Sequence, residues 1–89
     1  MPDLQSRFER AAVAAKSLPE RPDNETLLRL YALYKQGSAG DIYGDKPGFL
    51  DFIGLAKYEA WEQLAGMEPA EAQELYVDLV DSLGGNLGA

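Results

Sequence analysis

Two short runs of this chain carry side chains that could do chemistry together. The first is Tyr31-Ala32-Leu33-Tyr34-Lys35-Gln36. If it is helical, Tyr31, Tyr34 and Lys35 stand at i, i+3 and i+4, which puts two phenols and one ammonium group on one face. The second is Lys57-Tyr58-Glu59-Ala60-Trp61, where Lys57 precedes Trp61 by one helical turn and again sets a cation beside a ring. Two helices carrying these pairs could close around one ligand that is both anionic and partly planar. Other chemistry is excluded by composition. The sequence contains no cysteine and no histidine, so disulfides, thiolates and imidazole acid–base catalysis are absent. Nothing in what remains resembles an activated nucleophile. Neither catalytic residues nor a metal site is expected, and the abundant carboxylates read as a solvated face.

These runs need a scaffold, and 89 residues make one small domain. A hydrophobic content of 46% is that of a globular chain, not a disordered one. The net charge is −7, and it is unevenly placed. Residues 1–58 balance eight basic against eight acidic side chains, whereas residues 59–89 carry seven acids and no base. Non-specific nucleic-acid binding needs a basic surface, so that class is excluded. A small anion remains accessible if the few lysines converge. No signal-like apolar run or bilayer-length span is present, so an intracellular, cytoplasmic chain without stable membrane insertion is expected.

The pattern predicts four helices and no strand. Leu4, Phe8, Ala11, Ala12 and Ala15 repeat at helical spacing over residues 3–15, with alanines that permit close backbone approach. Lys16 follows, where a cation suits the helix dipole, and Pro19 and Pro22 break the chain. Asp23 or Asn24 caps a second helix ending near Gly37. From Leu27 to Tyr34 every residue but Arg29 is apolar or aromatic, more girth than one packing face requires. A core helix explains the leucines; a ligand face explains two tyrosines and a lysine better, since buried phenols and ammonium groups need partners. Residues 37–49 form a long loop with four glycines, of the kind that is functional or disordered; its aromatic content argues for order. A third helix over 52–65 carries Ala56, Ala60, Trp61 and Leu64 at core spacing. Pro69 opens a fourth helix to about residue 84, with Ala72, Leu75, Tyr76, Leu79 and Leu83 on its apolar stripe.

Tyr31-Ala32-Leu33-Tyr34-Lys35-Gln36, Gly40-Asp41, Lys46-Pro47-Gly48 and Ala56-Lys57-Tyr58-Glu59-Ala60-Trp61 together closely resemble the signature of the acyl-CoA-binding protein family. The resemblance extends from Phe8-Glu9-Arg10-Ala11-Ala12 to Tyr76, in family order and spacing. It implies an up-down-down-up four-helix bundle that carries and buffers long-chain fatty acyl-CoA thioesters one-to-one in the cytosol, as a monomer, without catalysis or cofactor. By position, Tyr31, Tyr34 and Lys35 match family residues at the nucleotide site. Lys57 matches a lysine that holds the phosphates, chiefly the ribose 3′-phosphate. Tyr76 matches a fourth-helix tyrosine beside the ligand, and Lys16 a lysine at the rim near the head group. Leu27, Leu28 and Ile53 are candidate walls for the acyl chain. The chain departs from the pattern at Ile53 and Leu55, where the family carries lysines around a glycine, and where Tyr58 and Trp61 replace its usual pair of tryptophans.

Two rivals come from other classes. Asp81-Ser82-Leu83 reproduces the tripeptide on which acyl carrier proteins bear phosphopantetheine, but those proteins place the serine at the start of a mid-chain helix, and a tripeptide is a weak signal. A helical module that binds a partner peptide in an apolar groove would explain Ile53 and Leu55, but not the convergent tyrosines and lysines.

Overall fold

The computed structural model describes residues 3–85, and within them the secondary structure is entirely helical. Helix α1 spans Leu4–Ala14 and runs into a short 3-10 turn, Ala15–Ser17. Helix α2 spans Asn24–Ala39, α3 Phe52–Glu62 and α4 Pro69–Ser82. Aspartates open the first three. Asp3 accepts from the Ser6 amide at 2.8 Å, Asp23 from Thr26 at 2.8 Å and Asp51 from Gly54 at 3.0 Å. Each carboxylate satisfies an amide that the first helical turn leaves without a partner. Pro69 starts α4, where its missing N–H costs nothing.

The direction of each helix follows from pairs that advance in step. Gln73 of α4 donates to Gln5 of α1 at 3.2 Å, and three residues further along each helix Tyr76 meets Phe8, so α1 and α4 are parallel. Gln73 also donates to the Gly37 carbonyl at 2.9 Å, joining the start of α4 to the end of α2; these two are antiparallel. Lys57 lies over Tyr31 and Trp61 beside Lys35, so α3 runs parallel to α2. The result is the up-down-down-up bundle. Its core is Phe8, Ala11, Ala14, Leu30, Leu33, Ala72, Tyr76, Val77 and Val80, all from α1, α2 and α4. Helix α3 stands outside this core and packs chiefly on α2.

Several helix ends fall elsewhere than the pattern predicts. Helix α2 does not stop at Gly37 but continues to Ala39 and turns at Gly40, whose φ is +83°. Gly37 serves packing instead. A β-carbon there would lie 3.0 Å from the Phe8 ring and 3.0 Å from the Gln73 side chain, so glycine lets α1 and α4 close on α2. Lys16 sits within the 3-10 turn. Helix α3 gives way to turns after Glu62, and of its expected core residues only Trp61 is buried; Ala56, Ala60 and Leu64 are half-buried because α3 has one neighbour. On α4, Val77 and Val80 are buried while Leu75 and Leu79 are only partly so. The apolar stripe is rotated toward the valines because α4 is clasped by α1 and α2 together.

The segment between α2 and α3 is tied down by Gln36 and Asp41. Gln36 is fully buried. Its amide donates to the Met67 carbonyl at 2.8 Å and to Asp41 at 2.9 Å, while its oxygen accepts from the Trp61 indole at 3.1 Å. The same Asp41 oxygen accepts from the Gly66 amide at 2.8 Å. The Gly66 N–H, and then the Gln36 amide, hold the Asp41 carboxyl below the ordinary aspartate range. A depressed folded-state pKa means the carboxylate contributes stability above its unfolded value and loses it as pH falls through the lower folded value. Asp3 and Asp23 shift in the same direction through their caps. Unfolding midpoints in urea should therefore decline below about pH 4, and Asp41→Asn should flatten part of that decline. An acid limb of unchanged shape in Asp41→Asn would show that this carboxylate does not carry it.

Candidate functional site

Helix α2 divides the candidate residues between two neighbours. On its α1 side, Phe8 and Tyr34 stack with ring centroids 5.4 Å apart and planes 24° from parallel. Tyr76 from α4 closes the group, edge-on to Phe8 at 5.3 Å and tilted against Tyr34 at 5.9 Å. Three helices thus build one aromatic wall. Tyr76 is buried in it, while Tyr34 is 41% exposed and presents its free edge outward. A concavity of about 260 Å³ opens here, lined by Gln5, Phe8, Glu9, Ala12, Tyr34, Gly37 and Ser38. Burial first, and then the neighbouring Tyr34, push the Tyr76 phenol above its ordinary pKa. At neutral pH it stays protonated and able to donate.

On the α3 side stand the cations. The Lys57 ammonium lies 5.3 Å from the centroid of the Tyr31 ring, and the Lys35 ammonium 4.9 Å from that of Trp61. Each contact is within cation–π range, worth about 0.5–1 kcal/mol at exposed sites. The pairs differ from those the spacing suggests. Within each helix, a cation and a ring share a face; in the fold, each cation rests on the ring of the other helix. The rings therefore hold both ammonium groups over the seam between α2 and α3. The indole itself is fixed, donating to the Gly40 carbonyl at 2.8 Å and to Gln36, with Tyr43 edge-on at 5.4 Å. Lys46, a third cation of this region, is engaged by Glu59 at 3.3 Å and Glu62 at 3.8 Å.

Tyr31, Tyr34 and Lys35 thus project from α2 itself, with Lys57 joining from α3 and Tyr76 from α4: the two cations lie toward α3 and the aromatic wall toward α1. Lys16 is exposed on the 3-10 turn, one turn beyond Ala12 of the concavity. The three apolar candidates do not share one wall. Leu27 precedes Tyr31 by one turn on the same face and packs against the core. Leu28 opens into a separate cleft of about 570 Å³ between α2 and α3, lined also by Ala32, Ala56, Ala60 and Leu64, and by none of the site's lysines or tyrosines. Ile53 stands 72% exposed in the first turn of α3. Phe8 and Gln36 are site-building residues that spacing alone does not single out. Phe8 reads as one more member of the α1 stripe. Gln36 reads as a polar residue near a helix end, and two of its three partners, Trp61 and Met67, come from distant parts of the chain.

The sequence and the fold match a known family. The family model for acyl-CoA-binding protein matches residues 5–80, which span all four helices. The chain belongs to the acyl-CoA-binding protein family. Acyl-CoA-binding protein homolog 1 of Caenorhabditis elegans is 46% identical over 82 residues, covering 92% of this chain and 95% of the relative. The acyl-CoA-binding protein of Saccharomyces cerevisiae is 45% identical over 76 residues, covering 85% and 87%. Among solved structures, that of Oryza sativa acyl-CoA-binding protein 2 superposes with a TM-score of 0.86 at 38% identity, over 90% of this chain and 87% of that one. Family membership accounts for the four-helix bundle and for the arrangement of its elements around α2. No helix among the described residues is long and apolar enough to cross a membrane.

Proposed function

We propose that this chain binds long-chain fatty acyl-CoA thioesters one-to-one and carries them unchanged, as a monomer, in the cytoplasm. The observation that carries this reading is the placement of two ring-supported ammonium groups beside a three-helix aromatic wall along one ridge. A phosphate dianion is best held by two or more cationic donors with a hydroxyl, a set that Lys35, Lys57 and Tyr31 supply. Lys57 takes the ribose 3′-phosphate in this reading. Adenine needs a flat apolar surface, and stacking on an aromatic side chain is worth about 1–3 kcal/mol; Tyr34 offers the ring, with Tyr76 beside it. Lys16 sits at the rim. Leu27 and Ile53 flank the ligand side of the α2–α3 pair, and Leu28 is the apolar wall of its far side. The rival phosphopantetheine reading finds no support in the setting of Ser82, the last residue of α4, whose hydroxyl donates to the Leu79 carbonyl at 2.7 Å.

Calorimetric titration with palmitoyl-CoA, octanoyl-CoA and free CoA, each below its micelle-forming concentration, tests this reading. Burying a methylene is worth roughly 0.8 kcal/mol, so even half-burial of the longer tail should tighten palmitoyl-CoA at least about 100-fold over octanoyl-CoA. Free CoA should bind most weakly. Absence of binding by all three would overturn the carrier reading.

A further inference from the structure

The turn before α3 and its first residues carry an apolar wedge that the bundle does not use. Phe49 is 74% exposed, Leu50 80%, Phe52 73% and Ile53 72%. Four large apolar side chains within five positions, each this exposed, project from the surface. Asp51, the one charge among them, is occupied in capping α3. Lys46, just before the wedge, is engaged by Glu59 and Glu62, and Lys57, just after it, rests on Tyr31.

We infer that this wedge is a reversible docking surface for the interface of a phospholipid bilayer. Three observations select that occupant. Side chains of this size offer roughly 500–600 Å² together, which falls short of the about 800 Å² per partner in a standard protein interface; a second copy of the chain would be held too weakly. Lys46 is paired with Glu59 and Glu62 and the chain carries −7 overall, so the attraction is apolar and does not require anionic lipid. Finally, Ile53 lies one and two turns before Lys57 and Trp61 on α3, so the wedge is continuous with the side of α3 that faces the candidate ligand. The inference deepens the carrier reading: a long acyl tail partitions into lipid, and a wedge beside the binding ridge brings that ridge to the tail. Four side chains with no lipid anchor give weak association, which lets a loaded carrier leave.

The test uses the full, ligand-free chain and sucrose-loaded phosphatidylcholine vesicles, with and without phosphatidylserine. Sedimentation of the wild-type chain with pure phosphatidylcholine vesicles is expected. Replacing both rings (Phe49→Ser with Phe52→Ser) should lower the bound fraction at least about tenfold, whereas Phe49→Leu with Phe52→Leu should retain most of it. Circular dichroism should leave the helical signal of both variants unchanged, since neither ring is packed. Wild-type sedimentation that requires phosphatidylserine, or that survives the serine variant, would overturn the inference. So would self-association of the wild-type chain abolished by the same variant, which would assign the wedge to a second copy. Palmitoyl-CoA titration of the serine variant in vesicle-free buffer separates the two readings. Unchanged solution affinity with lost vesicle binding supports both, and loss of solution affinity would place the wedge in the ligand site and overturn its assignment to the bilayer.

Discussion

Lys57→Ala should weaken palmitoyl-CoA binding by roughly 1.5–3 kcal/mol, the range for a hydrogen bond to a charged group, or about 10- to 150-fold in Kd. Lys35→Ala should fall in the same range. Neither change should disturb the fold: Lys57 is exposed and its contact with Tyr31 is a surface cation–π pair. A stronger form of the prediction uses an ester of dephospho-CoA, which lacks the 3′-phosphate. Wild-type protein should bind it more weakly than the complete ester. If Lys57 holds that phosphate, the mutation and the missing group remove the same interaction, so their losses should not add. Lys57→Ala should then bind the two esters almost equally. Lys35→Ala, assigned to the remaining phosphates, should still discriminate between them. Equal binding of both esters by the wild-type chain would remove the phosphate clamp. Full additivity with Lys57→Ala would move the 3′-phosphate to another residue.

Gln36→Leu should destabilise the fold by roughly 2–4 kcal/mol, read as a lower urea midpoint. The side chain is similar in size and the site is fully buried, so the loss comes from polar groups. Asp41 keeps the Gly66 amide and Trp61 keeps the Gly40 carbonyl, which limits the damage at those two ends. The part-buried Met67 carbonyl loses the Gln36 donor, which costs about 1 kcal/mol, the low end of the range for an unsatisfied acceptor. Two further hydrogen bonds disappear, each worth about 0.5–1.5 kcal/mol net. Against a total stability of about 5–15 kcal/mol for a domain, this is a large fraction. The same change should loosen the indole on which Lys35 rests, so weaker ligand binding should accompany the lower midpoint. An unchanged midpoint would mean that the apolar replacement compensates fully and that Gln36 is not the tie between α2, α3 and the connecting segment.

Much of this is legible in the sequence alone. The four helices follow from 3.6-residue periodicity and from local caps: Asp3, Asp23 and Asp51 each bond within three residues of themselves, and Pro69 acts through its own ring. Such features are set by neighbours in the chain, which is why sequence reads them well. The candidate residues of α2 are legible for the same reason, since Tyr31, Tyr34 and Lys35 share a face by helix geometry alone. Gly37 misled for a related reason. As a local signal it ends a helix; its actual role, admitting Phe8 and Gln73 against α2, depends on residues 29 positions before and 36 after it.

Sequence by itself determined the helices, the classes of chemistry that are impossible without histidine or cysteine, and the family whose motifs the chain carries. Tertiary structure decided the partners. It crossed the cation–ring pairs between α2 and α3, assembled Phe8, Tyr34 and Tyr76 from three helices, and set Leu27 and Leu28 toward different neighbours. It also left Phe49, Leu50, Phe52 and Ile53 bare. The reason is common to all four: periodicity fixes which side chains share a face of one helix, but which face meets which neighbour depends on the fit of all the helices at once.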